Sequence, residues 1–231
     1  MFNPQHYENT QPGGVAQMEV VRAAEEAPAF VPLQRTIVKG VITGPLADLQ
    51  VTHQFGYSRS ASDQTLEARY RFPLPGDAAV MGVVVRFGEV EIVADLKERR
   101  TAEEDYTQAK SEGRQAALAT RESADAFTLQ LSGLQPDQPI TVETSYVQLA
   151  RPQGAGWSLR IPLTLAPRYA RPDERGARHA QGQPLAIARD PGHRFALDLV
   201  VAAASAVASA THELASEPTQ RGGRLQPAAG Q

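Results

Sequence analysis

From Thr36 onward the chain repeats a two-residue rhythm of apolar and polar side chains. Gln64 to Phe72 shows it most plainly: Leu66, Ala68, Tyr70 and Phe72 point one way, while Glu67, Arg69 and Arg71 point the other. That is the signature of a strand with one face buried and one face wet. Pro73-Leu74-Pro75-Gly76 ends it, because proline cannot donate to a ladder and Pro-Gly favours a turn. The same rhythm predicts strands over Thr36–Ile42, broken at Gly44-Pro45, and over Leu49–Tyr57. Val80–Phe87 and Val90–Leu96 follow, joined at Gly88-Glu89 as a tight hairpin. Later strands are expected at Ala116–Thr120, Ala126–Leu131, Pro139–Leu149, Gly156–Leu165 and Arg194–Val201.

One segment departs from this rhythm. Glu98 to Glu112 is rich in helix formers and contains neither glycine nor proline. Ala102, Tyr106, Ala109 and Gly113 recur at helical spacing, which lines one face with small side chains and a single large anchor. Asp95 with Glu98, or Thr101 with Glu104, would form a capping box, and Gly113 supplies the left-handed stop. The pattern therefore predicts a mainly β fold: an antiparallel β-sandwich or barrel-like domain with one packed amphipathic helix over 98–112. The same helical stripe could instead fill a groove on a partner. Residues 1–32 read as a poorly ordered arm, 33–150 as the β domain with its helix, 151–215 as a β extension and 216–231 as a flexible tail. Ala202 to Ala210 is so rich in alanine that strand and helix both remain open.

Composition narrows the chemistry. The 231 residues suffice for a sizeable core, and the 42% hydrophobic and 21% charged fractions are those of a globular protein. A net charge of −3 offers no global field for a nucleic-acid backbone. The densest basic set, Arg168, Arg171, Arg175 and Arg178, lies in a Pro/Gly-containing stretch and reads as a solvated loop rather than a phosphate patch. With no cysteine, thiolate nucleophiles, disulfides and Cys-based zinc sites are excluded. The N-terminus lacks a basic region followed by an apolar run, and nothing approaches the roughly 18 apolar residues of a membrane span. These traits favour a cytoplasmic location.

No catalytic residues, cofactor or metal ligands are expected. The five histidines, His6, His53, His179, His193 and His212, show no i, i+4 metal spacing. There is no GxSxG elbow, P-loop or strand–GxGxxG–helix pattern. His53, on the alternating face of a strand, reads as a hydrogen-bonded, half-buried histidine, with general-base chemistry as the alternative. Asp77, Glu89, Glu91 and Asp95 could converge on Ca²⁺, though not with EF-hand spacing. Glu67, Asp77 and Glu91 are the carboxylates a hydrolase would use.

Several stretches together resemble the VIT domain of vault and inter-alpha-trypsin inhibitor heavy-chain proteins. They are Leu66 to Val85, Glu98 to Thr120 and Phe127 to Val147. The matched positions are Glu67-Ala68, Tyr70 and Phe72-Pro73-Leu74-Pro75, then Ala102, Tyr106, Ala109, Gly113 and Ala116. Leu159 to Pro172 and Phe195 to Leu214 are similar to the segments that follow in the family, and the alanine-rich run departs from its pattern. The run Ser58 to Asp63 has the residue types of the Asp-x-Ser-x-Ser metal site of von Willebrand A domains in the wrong order, and reads as a polar hairpin loop. The resemblance implies a protein–protein association or assembly module placed before a von Willebrand A domain in the same polypeptide. That fits a tail ending in QPAAGQ without a natural stop, as in a fragment of a longer protein. The partner expected is a protein or that downstream domain, self-association is open, and nucleic acid and membrane insertion are not expected. A carbohydrate- or Ca²⁺-binding β-sandwich is the alternative, with Trp157 and a few tyrosines as its aromatic platforms, and a carboxylate hydrolase comes after it.

Overall fold

The alternation of the sequence becomes alternation of burial. The computed structural model describes residues 14–21, 29–75, 77–94, 107–109, 111–112, 116–123, 126–165, 193–202, 207–219 and 222–228. In these residues the strands are β1 (Gly14–Val15), β2 (Gln17–Val20), β3 (Leu33–Thr43), β4 (Leu46–Phe55), β5 (Leu66–Pro73), β6 (Ala79–Phe87), β7 (Val90–Val93) and β8 (Ala116–Ser123). They continue as β9 (Ala126–Leu134), β10 (Ile140–Leu149), β11 (Arg151–Gln153), β12 (Gly156–Ser158), β13 (Thr164–Leu165), β14 (Arg194–Ala202), β15 (Leu214–Thr219) and β16 (Gly222–Pro227). Along β5 and β10 every second residue is buried, as a strand with one face on a core requires.

Two sheets carry the fold. The larger has the order β15-β16-β14-β3-β4-β10-β6-β7, the smaller β2-β5-β9-β8, and β1-β13 and β11-β12 form two-stranded pairs. Their inner faces share one apolar cluster. Met18, Leu66, Tyr70, Leu129 and Leu131 come from the smaller sheet, and Val38, Leu49, Phe55, Val85 and Ile140 from the larger. Ala68 and Tyr70, with Phe72 and Leu74 of the Phe-Pro-Leu-Pro stretch, are all buried in it, so this stretch is a core-facing ridge followed by its own strand stop. At the β6–β7 hairpin Phe87 pairs with Val90, and Gly88 has φ 59°. A glycine at the first central position of a two-residue loop gives the turn whose twist matches that of the flanking strands.

Several expectations change. The sheets are not wholly antiparallel: β14 runs parallel to β3, with Asp198 opposite Lys39. The supposed arm contributes β1 and β2, with Ala16 and Met18 fully buried, and Glu19 bridges to Phe30. The supposed flexible tail supplies β15 and β16, which extend the larger sheet beyond β14 and bury Leu225. The Gly156–Leu165 strand is broken: 159–163 leave the ladder, consistent with Pro162 lacking a donor, although Leu159, Ile161 and Leu163 still pack on the core. Ser58 to Asp63 is not a hairpin loop, because it joins β4 of one sheet to β5 of the other. Tyr57 anchors this crossing by donating to the carbonyls of Gln64 (3.0 Å) and Leu134 (2.8 Å).

Of the predicted helix 98–112, only 107–109 and 111–112 are described, and Glu112 N–H donates to the Gln108 carbonyl at 3.1 Å as an α-helix requires. Ala102, Tyr106 and Gly113 lie outside the described residues, as does the packing they were expected to make. In the alanine-rich run β14 ends at Ala202, 207–212 are neither strand nor helix, and 203–206 lie outside.

Strand β3 meets β4 closely at Gly40, which is paired with Leu49. A methyl group there would run into the Asp48 carbonyl and come within 2.7 Å of the Leu49 side chain. Gly82 on β6 has open space instead. Gly40→Ala should therefore destabilise the protein by about 1–3 kcal/mol in urea unfolding, while Gly82→Ala should change stability by less than about 1 kcal/mol.

Candidate functional site

The core is not purely apolar. His53 on β4 and Tyr70 on β5 belong to different sheets, and the Tyr70 hydroxyl lies 2.7 Å from His53 Nδ1, with both residues buried. Either tautomer closes the bond: the phenol donates to a bare Nδ1, or Nδ1–H donates to the phenol oxygen. Phe55 meets the Tyr70 ring edge-on at 5.6 Å and Phe72 stacks on it at 5.1 Å. Burial pushes the imidazole down to about 3, helped by the nearby His193, and holds the Tyr70 phenol well above its ordinary range. His53 is thus neutral and enclosed by rings, as the hydrogen-bonded reading of it requires, although it is more deeply buried than half. Nothing in the sequence named Tyr70 as its partner. His193 sits 2.9 Å from Thr36 Oγ1, and Thr36 pairs with His53 across the strands.

The carboxylates considered for hydrolysis or Ca²⁺ do not gather. Glu91 stands on the outer face of the larger sheet, where it accepts from Arg86 Nε at 2.6 Å. The Arg86 guanidinium also lies 3.6 Å from Glu143. Asp77 lies 3.8 Å from Arg151. Glu67 is on the outer face of the smaller sheet, so the core separates it from Glu91. Asp95 lies outside the described residues, as do Arg168, Arg171, Arg175, Arg178, His6 and His179. Among the described residues no group of three or more His, Asp or Glu could hold a metal ion. No helix among them is long and apolar enough to cross a membrane.

The outer face of the larger sheet carries two kinds of surface. At the β14 side, Arg224 clamps Asp198 through Nε and Nη2, each at 2.6 Å, and holds that carboxyl below its ordinary range. Lys39 stands opposite Asp198, and Glu217 opposite Arg224, so charge alternates across four strands. Further along the same strands Leu46 pairs with Leu149, while Val41, the next outward residue after Lys39 on β3, pairs with the exposed Asp48 and lies diagonally from Leu46; Leu46, Leu149 and Val41 are 45%, 59% and 48% exposed. Beyond Leu149 the β11–β12 hairpin stands clear, with Trp157 55% exposed.

The fold is thus a two-sheet β module whose strongly perturbed titrating pair is sealed in the core. Residues 33–146 match the family model described as the vault protein inter-alpha-trypsin (VIT) domain, so this segment is a VIT domain. It is similar to human protein mono-ADP-ribosyltransferase PARP4, 29% identical over 138 residues, which are 60% of this chain and 8% of that protein. Mouse von Willebrand factor A domain-containing protein 5A is 35% identical over 108 residues, 45% of this chain and 14% of the relative. The chain therefore spans less than a fifth of the length of either. Among solved structures, the M1 zinc metallopeptidase of Deinococcus radiodurans aligns with a TM-score of 0.42 at 15% identity, over 85% of this chain and 38% of that one.

The His53–Tyr70 pair makes stability depend on pH. The unfolded chain protonates His53 near its ordinary 6.5, whereas the folded chain resists until about 3. This contribution is complete above about pH 6.5 and is lost progressively as pH falls toward 3, reaching roughly 3 kcal/mol at about pH 4.5. Urea unfolding at neutral pH and at about pH 4.5 should show that loss, and His53→Gln should remove most of it. Tyr70→Phe, which strips a buried nitrogen of its partner, should cost about 1–3 kcal/mol at neutral pH.

Proposed function

We propose that this chain is a non-enzymatic association module that docks a von Willebrand A domain of its own polypeptide through the apolar corner of the larger sheet. The observation that carries the reading is the cluster of Val41, Leu46 and Leu149 on one exposed face. An exposed Leu–Leu pair in register, with a valine beside it, gains by being covered, at roughly 25 cal/mol for each Å² removed from water. The partner is suggested by the company the domain keeps: several relatives matched at this segment are named as von Willebrand factor A domain-containing proteins. The non-enzymatic part is supported by the enclosure of His53 and Tyr70, which keeps the strongly perturbed titrating pair from any substrate.

Titration calorimetry of the chain against the von Willebrand A domain of mouse protein 5A provides the test. Saturable binding is expected, and Leu46→Asp or Leu149→Asp should weaken it about tenfold or more while leaving the circular dichroism spectrum unchanged. Absence of heat at a concentration of about 100 µM, or equal binding by both variants, sinks the reading.

A further inference from the structure

A second surface has a different chemistry. Among the described residues strands β11 and β12 pair only with each other, and every residue from Arg151 to Ser158 is exposed. The base of this hairpin is fastened: Ala150 N–H donates to the Pro45 carbonyl at 2.7 Å, and Gln148 Nε2 donates to the Arg160 carbonyl at 3.1 Å. The arm is thus held out from the body with its backbone edges open to another strand.

Those edges are not alike. An open strand edge is ordinarily protected by charge, proline or covering. Edge strand β15 carries Glu217 and Pro218, and β7 carries Glu91. On the arm, β11 carries Arg151 and Pro152. Its partner β12 is Gly156-Trp157-Ser158, with neither charge nor proline, and it presents the sole tryptophan of the chain.

We propose that β12 is a self-pairing edge: two copies of this chain join β12 to β12 antiparallel about a two-fold axis at Trp157. A charged partner would find nothing on this edge to read, whereas a second copy meets it neutral against neutral. The arrangement places each Trp157 against its counterpart and each Gly156 against the other copy's Ser158. The two Arg151 side chains end three strand spacings apart, about 14 Å, beyond the screening length of physiological salt, so they do not oppose pairing. Because a three-residue edge buries far less than the roughly 800 Å² per partner of a standard interface, the dimer is weak, with a dissociation constant on the order of 100 µM or above. The inference is independent of the von Willebrand A docking, which uses the sheet face.

The absence of cysteine makes the test clean. Gly156 has open space around it and an ordinary φ, so it accepts a side chain. Gly156→Cys and Ser158→Cys chains, mixed equally and oxidised mildly at high concentration, should give crossed disulfide dimers well above the half expected from random pairing. Sedimentation equilibrium of the unaltered chain should show a reversible dimer, with Trp157 emission shifting to the blue as it forms, and Trp157→Asp should abolish the dimer in sedimentation. A chain that stays monomeric to about 1 mM, cross-linking at the random ratio, or a dimer that survives Trp157→Asp would each overturn the proposal.

Discussion

Each of the two main sheets turns an apolar face toward the other, and the two faces share one core cluster. The two must close on each other, and the point where they meet most specifically is polar. His53 and Tyr70 sit in alternating strands on opposite sides of the core, so a one-residue slip in β4 or β5 would carry one of them out to solvent and leave the other buried without a partner. Apolar neighbours such as Leu49 and Leu129 tolerate small displacements. A buried imidazole does not. The hydrogen bond therefore fixes how the sheets register, and the ring contacts of Phe55 and Phe72 around Tyr70 follow from it.

The far side of the larger sheet obeys a different constraint. Strand β14 arrives from a distant part of the sequence and lies parallel to β3, a geometry that local turns cannot impose. What marks its register on the outside is charge: Lys39, Asp198, Arg224 and Glu217 alternate in sign from strand to strand, with the Arg224 clamp at their centre. On the inner side Leu199 and Leu225 are buried at the same level, so the two faces agree on one alignment.

Much of this was legible in the sequence, for a physical reason. Period-two alternation records which side chains turn inward: β3 to β7 and β10 have one face on the core and the other exposed or half-exposed, whereas on β9 Thr128 and Ser132 of the other face are buried too. Where the rhythm is long enough, existence and type follow. The misses occur where the record is short or ambiguous. Strands β1 and β2 span only two and four residues beside Pro12 and Gly13, so nothing repeats. In β15 and β16, Pro218, Gly222 and Gly223 argue against a strand, yet pairing with β14 overrides propensity. Leu159, Ile161 and Leu163 alternate without a ladder, because inward packing does not require one. The His53–Tyr70 pair was half visible: alternation put both residues on inner faces, but no one-dimensional pattern says which strands of two sheets face each other.

The same logic bears on how the surface can be used. Where charges are matched strand against strand, as in the Arg86–Glu91–Glu143 and Lys39–Asp198–Arg224–Glu217 rows, they satisfy one another and project little field outward. With a net charge of −3, long-range steering is weak. The exposed apolar side chains among the described residues include the Val41–Leu46–Leu149 group and Trp157, together with Met81 and Val93. Association through such surfaces is driven by the area removed from water and by backbone pairing, both of which act only at contact. A module of this kind gains most when its partner is already held close, as a neighbouring domain on the same chain would be, because tethering supplies the effective concentration that a small interface cannot.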